Sequence, residues 1–358
     1  MEKLGIETFF KSKKILITGN TGFKGGWLSL WLCHMGADIR GFSLDPPTSP
    51  SFFKVAKLDS CYETIAGDVR NYDKLSKIVE DFQPEIIFHL AAQPLVRYSY
   101  HHPLETFETN VMGTVNLFEA SKKSESLKLI INVTSDKCYE NNESNKSFKE
   151  GDRLGGNDPY SSSKACAEFV SHSFFESYFK NSGVQLATVR AGNVIGGGDW
   201  AEDRLIPDIY RSLEANTKIL LRNPLATRPW QHVLEPLNGY LILAKYLFER
   251  ETEKSISSWN FGPNIEDIKS VEWILNNFQK LNSKIQYEKK DSIFYEAQTL
   301  RLDITKAKTK LNWHPRLNIE KALEYTHDWF ENFILNKNMQ NYSLNQILNY
   351  DKLKESIN

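Results

Sequence analysis

Short apolar runs alternate with longer helical patterns through the first half of the chain. Residues 14–18 (KILIT) are β-prone and stop at glycine, and a helical pattern rich in Leu and Trp follows from Gly26 to Met35. Asp38–Leu44 then reads as a second strand. Glu85–Leu90 (EIIFHL), Leu127–Val133 and Val184–Arg190 repeat the strand pattern, with Leu104–Ala120 and Tyr160–Phe179 as long helical stretches between them. Strands separated by helices predict βαβ units. They imply an α/β fold of Rossmann type, a doubly wound parallel sheet with helices on both faces.

The regularity weakens after Gly192. Gly192–Arg204 carries three consecutive glycines and Asn223–Gln231 carries two prolines, with short elements between them. The pattern predicts a smaller C-terminal substrate-binding lobe at the carboxyl edge of the sheet, built from residues 192–231 and 251–335. The first lobe spans residues 10–191, and Pro236–Phe248 returns to it as a helix within 232–250. Residues 336–358 are rich in Asn, Lys and Tyr with a weak amphipathic pattern, and read as a tail.

Composition narrows the class. Of 358 residues 41% are hydrophobic and 25% charged, the balance of a soluble globular protein with a full core. A net charge of -1 gives no global field for nucleic acid or an anionic membrane. Neither is therefore expected as a partner, and an anionic ligand must be held by local groups. Cys33, Cys61, Cys138 and Cys166 form no CxxC pair and have no metal-ligand spacing, so no metal site is expected and the thiols suit a reducing compartment. No apolar run approaches the roughly 20 residues that span a bilayer, and no signal-peptide pattern opens the chain. The expected location is the cytoplasm.

The first chemical signal is Gly19-Asn20-Thr21-Gly22-Phe23-Lys24-Gly25, a GxxGxxG spacing that follows a strand and opens a helix. Glycines there permit a tight turn and let the backbone approach a pyrophosphate, while the helix N-terminus offers free N–H groups to the anion. Gly19, Thr21, Gly22, Phe23, Lys24 and Gly25 are thus expected to bind a dinucleotide. Asp45 follows the second strand, where a carboxylate would bond the adenosine ribose hydroxyls and repel a 2′-phosphate, favouring NAD over NADP. It could instead be only a turn residue before Pro46-Pro47. Asp68, in Gly67-Asp68-Val69-Arg70, could meet the adenine amine or cap the helix that starts near Tyr72.

The second signal is Tyr160 and Lys164, four apart at the start of a helix, with Asp158 as N-cap and Pro159 in the first turn. That spacing puts phenol and ammonium on one face. A phenol of ordinary pKa about 10 is a poor base at neutral pH, but neighbouring positive charge favours the phenolate. In isolation the pair would be only a surface contact. Here it accompanies a strand that ends in Val133-Thr134-Ser135-Asp136-Lys137, whose side chains would lie over the crevice where open α/β sheets bind ligands. Ser135 can bond a hydroxyl being oxidised, and Asp136 and Lys137 set an acid beside a base. A solvated loop with an Asp–Lys pair is the alternative.

These features together resemble the extended short-chain dehydrogenase/reductases. Within that family TSDKCYEN, NVIGGGDWAEDRLIPD and TRPWQHVLEPLNGYL resemble the CDP-glucose 4,6-dehydratase branch, and the likeness runs from about residue 10 to residue 330. Asp136-Lys137 stands where the dTDP-glucose branch carries Asp-Glu. The resemblance implies NAD as cofactor, CDP-glucose as small-molecule substrate and a 4-keto-6-deoxy product for surface polysaccharide. It also implies pairing through the two long helices into a homodimer or homotetramer. It makes Ser135, Asp136, Lys137, Tyr160 and Lys164 catalytic. Val69, Leu90, Ala91, Ala92 and Asn110 join the expected cofactor site. Gln93, Ser99, Asn193, Arg204, Arg222 and Arg228 are expected at the substrate, the arginines on its diphosphate unless they are only surface ion pairs. His232 is expected to pack rather than react. A nucleotide-sugar 4-epimerase, which needs no acid and base beside the tyrosine, and a non-catalytic NAD-binding regulator are the rival readings.

Overall fold

Strands covered by helices on both faces are apolar along their length, as residues 15–17, 86–88 and 129–131 are. The computed structural model of the chain describes residues 5–143, 146–250, 256–289 and 298–353. Its first half opens with α1 (Ile6–Phe10), β1 (Lys14–Thr18), α2 (Phe23–His34), β2 (Asp38–Ser43), α3 (Phe52–Val55) and β3 (Glu63–Ala66). It continues with α4 (Tyr72–Phe82), β4 (Ile86–His89), α5 (Val96–His101), α6 (Pro103–Phe107), α7 (Gly113–Ser121), β5 (Leu129–Val133), α8 (Pro159–Phe174) and β6 (Gln185–Ala191). The second half has short strands β7 (Val194–Ile195), β8 (Ile219–Leu221), β9 (Thr227–Arg228) and β10 (Gln231–His232), with α9 (Leu205–Ala215) between the first two. Then come α10 (Leu234–Phe248), β11 (Ser257–Phe261), β12 (Lys269–Ser270), α11 (Val271–Leu281), β13 (Tyr287–Lys289), α12 (Thr305–Leu311), α13 (Ile319–Ile334) and α14 (Met339–Lys352).

The main sheet is parallel with order β11-β6-β5-β4-β1-β2-β3. Thr18 lies level with Phe42 on one side and His89 on the other, so β1, β2 and β4 end together. The chain leaves β1 for β2 on one side and later β4 on the other, and ligands of such sheets bind at this reversal, beyond the carboxyl ends. One face is packed by α4, α7 and the end of α8, around Phe42, Leu75, Val79, Leu117 and Phe118. The core of the other face runs on through Trp27, Phe52, Leu237 and Tyr240 into Trp313 and Trp329 of the second half.

Three expectations change. Residues 257–261, expected in the smaller lobe, are the seventh strand of the main sheet, paired with β6. Their sequence, SSWNF, hides this because Ser258 and Asn260 are polar yet bonded inside, Asn260 to the Tyr139 hydroxyl at 2.7 Å. Both long helices contain a turn of π-helix, Glu108–Met112 and Phe175–Phe179, so Leu104–Ala120 is not one regular helix. Finally, the expected tail holds α14, packed on α2 and α13. Its buried face includes Ser343, Gln346 and Tyr350, each bonded: Trp329 Nε1 to Ser343 at 2.8 Å, Gln346 to the Tyr325 carbonyl at 2.8 Å, Tyr350 to Glu235 at 2.8 Å. A buried face that carries hydrogen-bonded polar side chains gives a weak amphipathic pattern. The Tyr350 ring meets Trp31 of α2 edge-on at 5.9 Å. The returning helix, expected from Pro236, is α10, packed on β5 and β6.

Candidate active site

The glycine turn leaves β1 at the strand-order reversal. Gly19 has φ 75°, and a Cβ there would lie 2.6 Å from the Ala91 nitrogen, so only glycine lets the turn sit against the end of β4. At Gly25 a Cβ would collide with the Gly19 carbonyl, whereas Gly22 faces open space apart from that same oxygen. Helix α2 begins with no side-chain cap and no acid in its first turn, so its N-terminal N–H groups stay available for an anion. Thr21 ties the turn to the end of β2 through Ser43 at 2.7 Å and the Leu44 carbonyl at 3.0 Å. Asp45 is exposed just past β2. These residues fit a dinucleotide: glycines where a phosphate backbone must approach, an uncapped helix end, and a carboxylate beyond the second strand.

Asp158 caps α8, accepting from the Ser161 N–H at 2.9 Å, with Pro159 next, as expected. Tyr160 and Lys164 are both buried, and so are Ser135 and Asp136 at the end of β5. Burial pushes the Tyr160 phenol up to about 12, against the Ser135 hydroxyl and the charge of Arg204. Lys164 donates to the Val133 carbonyl at 3.2 Å, and burial followed by the charge of Lys24 brings its ammonium down to about 8. Beneath them His89 is neutral, pushed down to about 3 by burial and Lys164, and bonded to Thr18 and Thr114.

Asp136 is the odd member. Ser135 Oγ lies 3.1 Å from its Oδ1, while its Oδ2 is buried with no hydrogen-bond partner among the described residues. Burial raises its carboxyl to about 6, against the opposing charges of Lys137, Lys24 and Arg228. Lys24, expected only at the dinucleotide turn, also acts on this cleft. Burial and Arg204 bring it down to about 8, with Asp136 and Asp199 opposing. Arg204 bonds Asp199 at 2.8 Å. Lys24, Lys137, Lys164, Arg204 and Arg228 act around this cleft together with the carboxylates of Asp136, Asp158, Glu168 and Asp199.

Other expected residues play supporting parts here. Ser99 accepts the Tyr160 backbone N–H at 3.2 Å. Asn110 bonds the Gln93 N–H at 2.8 Å and carbonyl at 3.0 Å and the Ser163 hydroxyl at 2.9 Å, fixing the loop after β4 to α8. Leu90 and Ala91 bond to Thr18, and Ala92 follows them. Asn193 accepts the Gln231 N–H at 3.0 Å, seating β7 on β10. Arg228 is buried and donates to the Thr227 carbonyl at 3.0 Å. Arg222 bonds Asp203 at 2.6 Å, further out. His232 is buried and edge-on to Trp27 and Tyr325.

Asp68 is not the cap of α4. Asn71 is, accepting the Lys74 N–H at 3.0 Å, while Asp68 pairs with Arg70 at 2.6 Å. Val69 packs against Gly113 of α7. Asp199, Asp203 and Arg97 were not singled out in the sequence. The acidic pair lay inside a stretch assigned as a whole, and Arg97 had no motif around it. Among the described residues no cluster of His, Cys, Asp and Glu could hold a metal ion, and no helix is long and apolar enough to cross a membrane.

The profile of the family described as GDP-mannose 4,6 dehydratase matches residues 16–326. A CDP-glucose 4,6-dehydratase of Salmonella typhimurium is 47% identical over 351 residues, which cover 96% of this chain and 98% of that protein. Among solved structures, the dTDP-glucose 4,6-dehydratase of Bacillus anthracis in complex with NAD superposes with a TM-score of 0.73 at 22% identity, covering 90% of this chain and 97% of its own. The UDP-glucose 4-epimerase of Thermotoga maritima with UDP-glucose gives 0.78 at 22% identity, covering 90% and 99%. At such identities the structural likeness speaks for the fold alone.

Proposed function

The chain belongs to the GDP-mannose 4,6-dehydratase family, and from that premise we propose that it converts CDP-glucose to CDP-4-keto-6-deoxyglucose and water. The observation that carries the reading is the orphaned Oδ2 of Asp136, a buried carboxyl of raised pKa beside Tyr160, with Lys137 next to it. A 4-epimerase has no step for that acid and base.

NAD is the cofactor; the turn at Gly19–Gly25 would hold it with Asp45 at its ribose end, and when bound it would supply a reversible hydride acceptor between C4 and C6. The protein's own groups handle protons. Tyr160 takes the C4 hydroxyl proton; burial holds its phenol up at about 12, opposed by the Ser135 hydroxyl and the Arg204 charge, and the positive charge of an oxidised nicotinamide would favour the phenolate further. Ser135 bonds the same hydroxyl. With a ketone at C4 the C5 proton is acidic, and Lys137 removes it. Asp136, which burial keeps partly protonated near neutrality, gives its proton to the departing C6 hydroxyl. Arg204, Arg228 and Arg222 hold the diphosphate.

Incubation with CDP-, dTDP-, UDP- and GDP-glucose tests the reading, with a 4-keto-6-deoxy product expected from CDP-glucose in preference to the others. Substrate deuterated at C4 should carry the label to C6 of the same molecule, and turnover in heavy water should label C5. Label kept at C4 would instead point to an epimerase.

We place the enzyme in the cytoplasm, where its four free cysteines stay reduced, supplying deoxysugars for surface polysaccharide such as lipopolysaccharide. The long helices expose Leu104, Met112, Phe169 and Tyr178, an apolar face that supports pairing of chains as a homodimer or homotetramer. Sedimentation velocity reads that assembly.

A further inference from the structure

Cys33 and Cys61 stand 28 residues apart in the chain and meet in the fold. Cys33 lies in the last turn of α2, and Cys61 follows the short turn Leu58–Ser60 that leads into β3. The Cys33 thiol donates to the Cys61 carbonyl at 3.7 Å and is within hydrogen-bonding reach of the Cys61 side chain. Gln340, in the first turn of α14, donates its amide to the Cys61 sulfur at 3.1 Å. Both thiols are half-buried, open enough for a small oxidant, whereas Cys138 is fully buried. The pair is also joined to the cofactor turn. Tyr62 follows Cys61 directly, and its hydroxyl accepts from the Asn20 amide at 3.3 Å. The same amide donates to Thr64 at 2.9 Å, so residues 62–64 hold the Gly19–Gly25 turn from its side.

We propose that Cys33 and Cys61 form a redox-sensitive pair that hydrogen peroxide closes to a disulfide in the folded protein, and that closure weakens NAD binding by drawing Tyr62 away from Asn20. The inference rests on the cofactor site and not on the choice of sugar nucleotide. In a reducing compartment the thiols are the resting state, and disulfides there are transient and redox-sensing. The Cys61 sulfur attacks one peroxide oxygen and the O–O bond breaks. The thiol proton leaves with the other oxygen as water, and Cys61 becomes a sulfenic acid. The Cys33 sulfur then attacks the Cys61 sulfur, an S–S bond replaces the S–O bond, and the Cys33 proton leaves with the hydroxyl as a second water. The two cysteines lose two electrons in all, and one peroxide gains them. The Gln340 amide suits Cys61 to the first attack, because hydrogen bonds to a charged acceptor are the stronger kind. Burial, then the charge of Cys61, push the Cys33 thiol up to about 11. Conversion of Cys61 to an uncharged sulfenic acid removes the second of these causes. A disulfide holds its sulfurs about 2 Å apart, closer than thiols in hydrogen-bonded contact, so Cys61 must move toward α2 and carry Tyr62 with it.

Brief treatment of the full chain with hydrogen peroxide, followed by alkylation of the remaining thiols and mass spectrometry, tests the first step. The intact mass should fall by two hydrogens before alkylation, and proteolysis should yield peptides joined through Cys33 and Cys61, with the circular dichroism of the folded protein unchanged. Calorimetric titration with NAD should then show affinity weakened several-fold, and dithiothreitol should restore it. Cys33→Ser and Cys61→Ser should bind NAD as the reduced wild type does and lose the response to peroxide, with Cys33→Ala serving if the serine folds poorly. Tyr62→Phe removes the hydroxyl that Asn20 reaches. It should weaken NAD binding in the reduced protein and take away most of the further loss on oxidation. A folded protein that gains oxygen without forming the bridge would overturn the proposal, and so would a bridge that leaves NAD affinity unchanged.

Discussion

One turn of α8 separates two buried charges with opposite surroundings. Glu168 is fully matched, with Thr134 at 2.5 Å, Thr188 at 2.7 Å, and Arg190 at 2.8 Å through both Nε and Nη2. Burial alone would raise its carboxyl, yet these bonds and the Arg190 charge hold it below the usual range. Lys164, four residues earlier, has one long bond to a carbonyl and an ammonium brought down to about 8, and it shares its cleft with the orphaned oxygen of Asp136. Matched charge fixes the end of β5 through Thr134, one residue before Ser135. Unmatched charge beside it is what the proposed chemistry would use. Burial is similar at both sites, so completeness of pairing, not depth, separates the scaffold from the chemistry.

The contrast can be broken from its matched side first. Glu168→Ala leaves Arg190 buried without its partner and should cost about 3–5 kcal/mol, as for other broken buried pairs. Denaturant unfolding should show the loss, with NAD binding failing in parallel. From the unmatched side, Tyr160→Phe should reduce turnover by at least about a hundredfold while the denaturation midpoint and CDP-glucose binding stay near wild type. A stability loss without a rate loss at Tyr160 would erase the distinction.

A subtler probe is pH. The Asp136 carboxyl is raised to about 6 by burial, so its acid form is populated below that value and depleted above it. If it protonates the leaving hydroxyl, kcat should fall with rising pH beyond about 6, approaching tenfold per unit. Asp136→Asn should be slow and lack that limb. Glu235 is an intermediate case. It accepts the Arg316 and Leu317 N–H groups and the Tyr350 hydroxyl, yet burial still raises it to about 7. Its folded pKa exceeds the unfolded value, so the stability it contributes is complete below about 4.5 and is lost as pH rises toward 7. Glu235→Gln should therefore gain a few degrees in melting temperature relative to wild type between pH 5 and 8.

Much of this was legible in the sequence because periodicity reports burial. Five of the first six strands, α8 with its Asp158 cap, and the turn at Gly19 follow local rules that a string of residues displays. Strand β11 and helix α14 were misplaced because their buried positions hold Ser, Asn, Gln and Tyr, whose hydrogen-bond partners lie elsewhere in the chain. The same reason hid the Cys33–Cys61 pair, which only tertiary structure assembles. Lys24 was assigned to the cofactor by its motif, and its reach toward Asp136 could not be read from spacing. The three glycines at 196–198 resemble a second ligand turn. They are instead small because Val233, Trp329 and Phe52 occupy the space a Cβ would need, and Trp27 of α2 bonds the Gly197 carbonyl at 2.9 Å.

The contact of Trp31 with Tyr350 bears on how the protein is made. Helix α2, which carries the dinucleotide turn, leaves the ribosome early, while the α14 ring that covers it is nearly the whole chain away. At about 5–20 residues per second, Trp31 waits on the order of half a minute with its edge uncovered, whereas α13, made just before α14, waits only on the order of seconds. The half that carries the glycine turn therefore cannot reach its final packing before α14 is made, and a nascent chain halted ahead of α14 should be held by chaperones rather than by NAD.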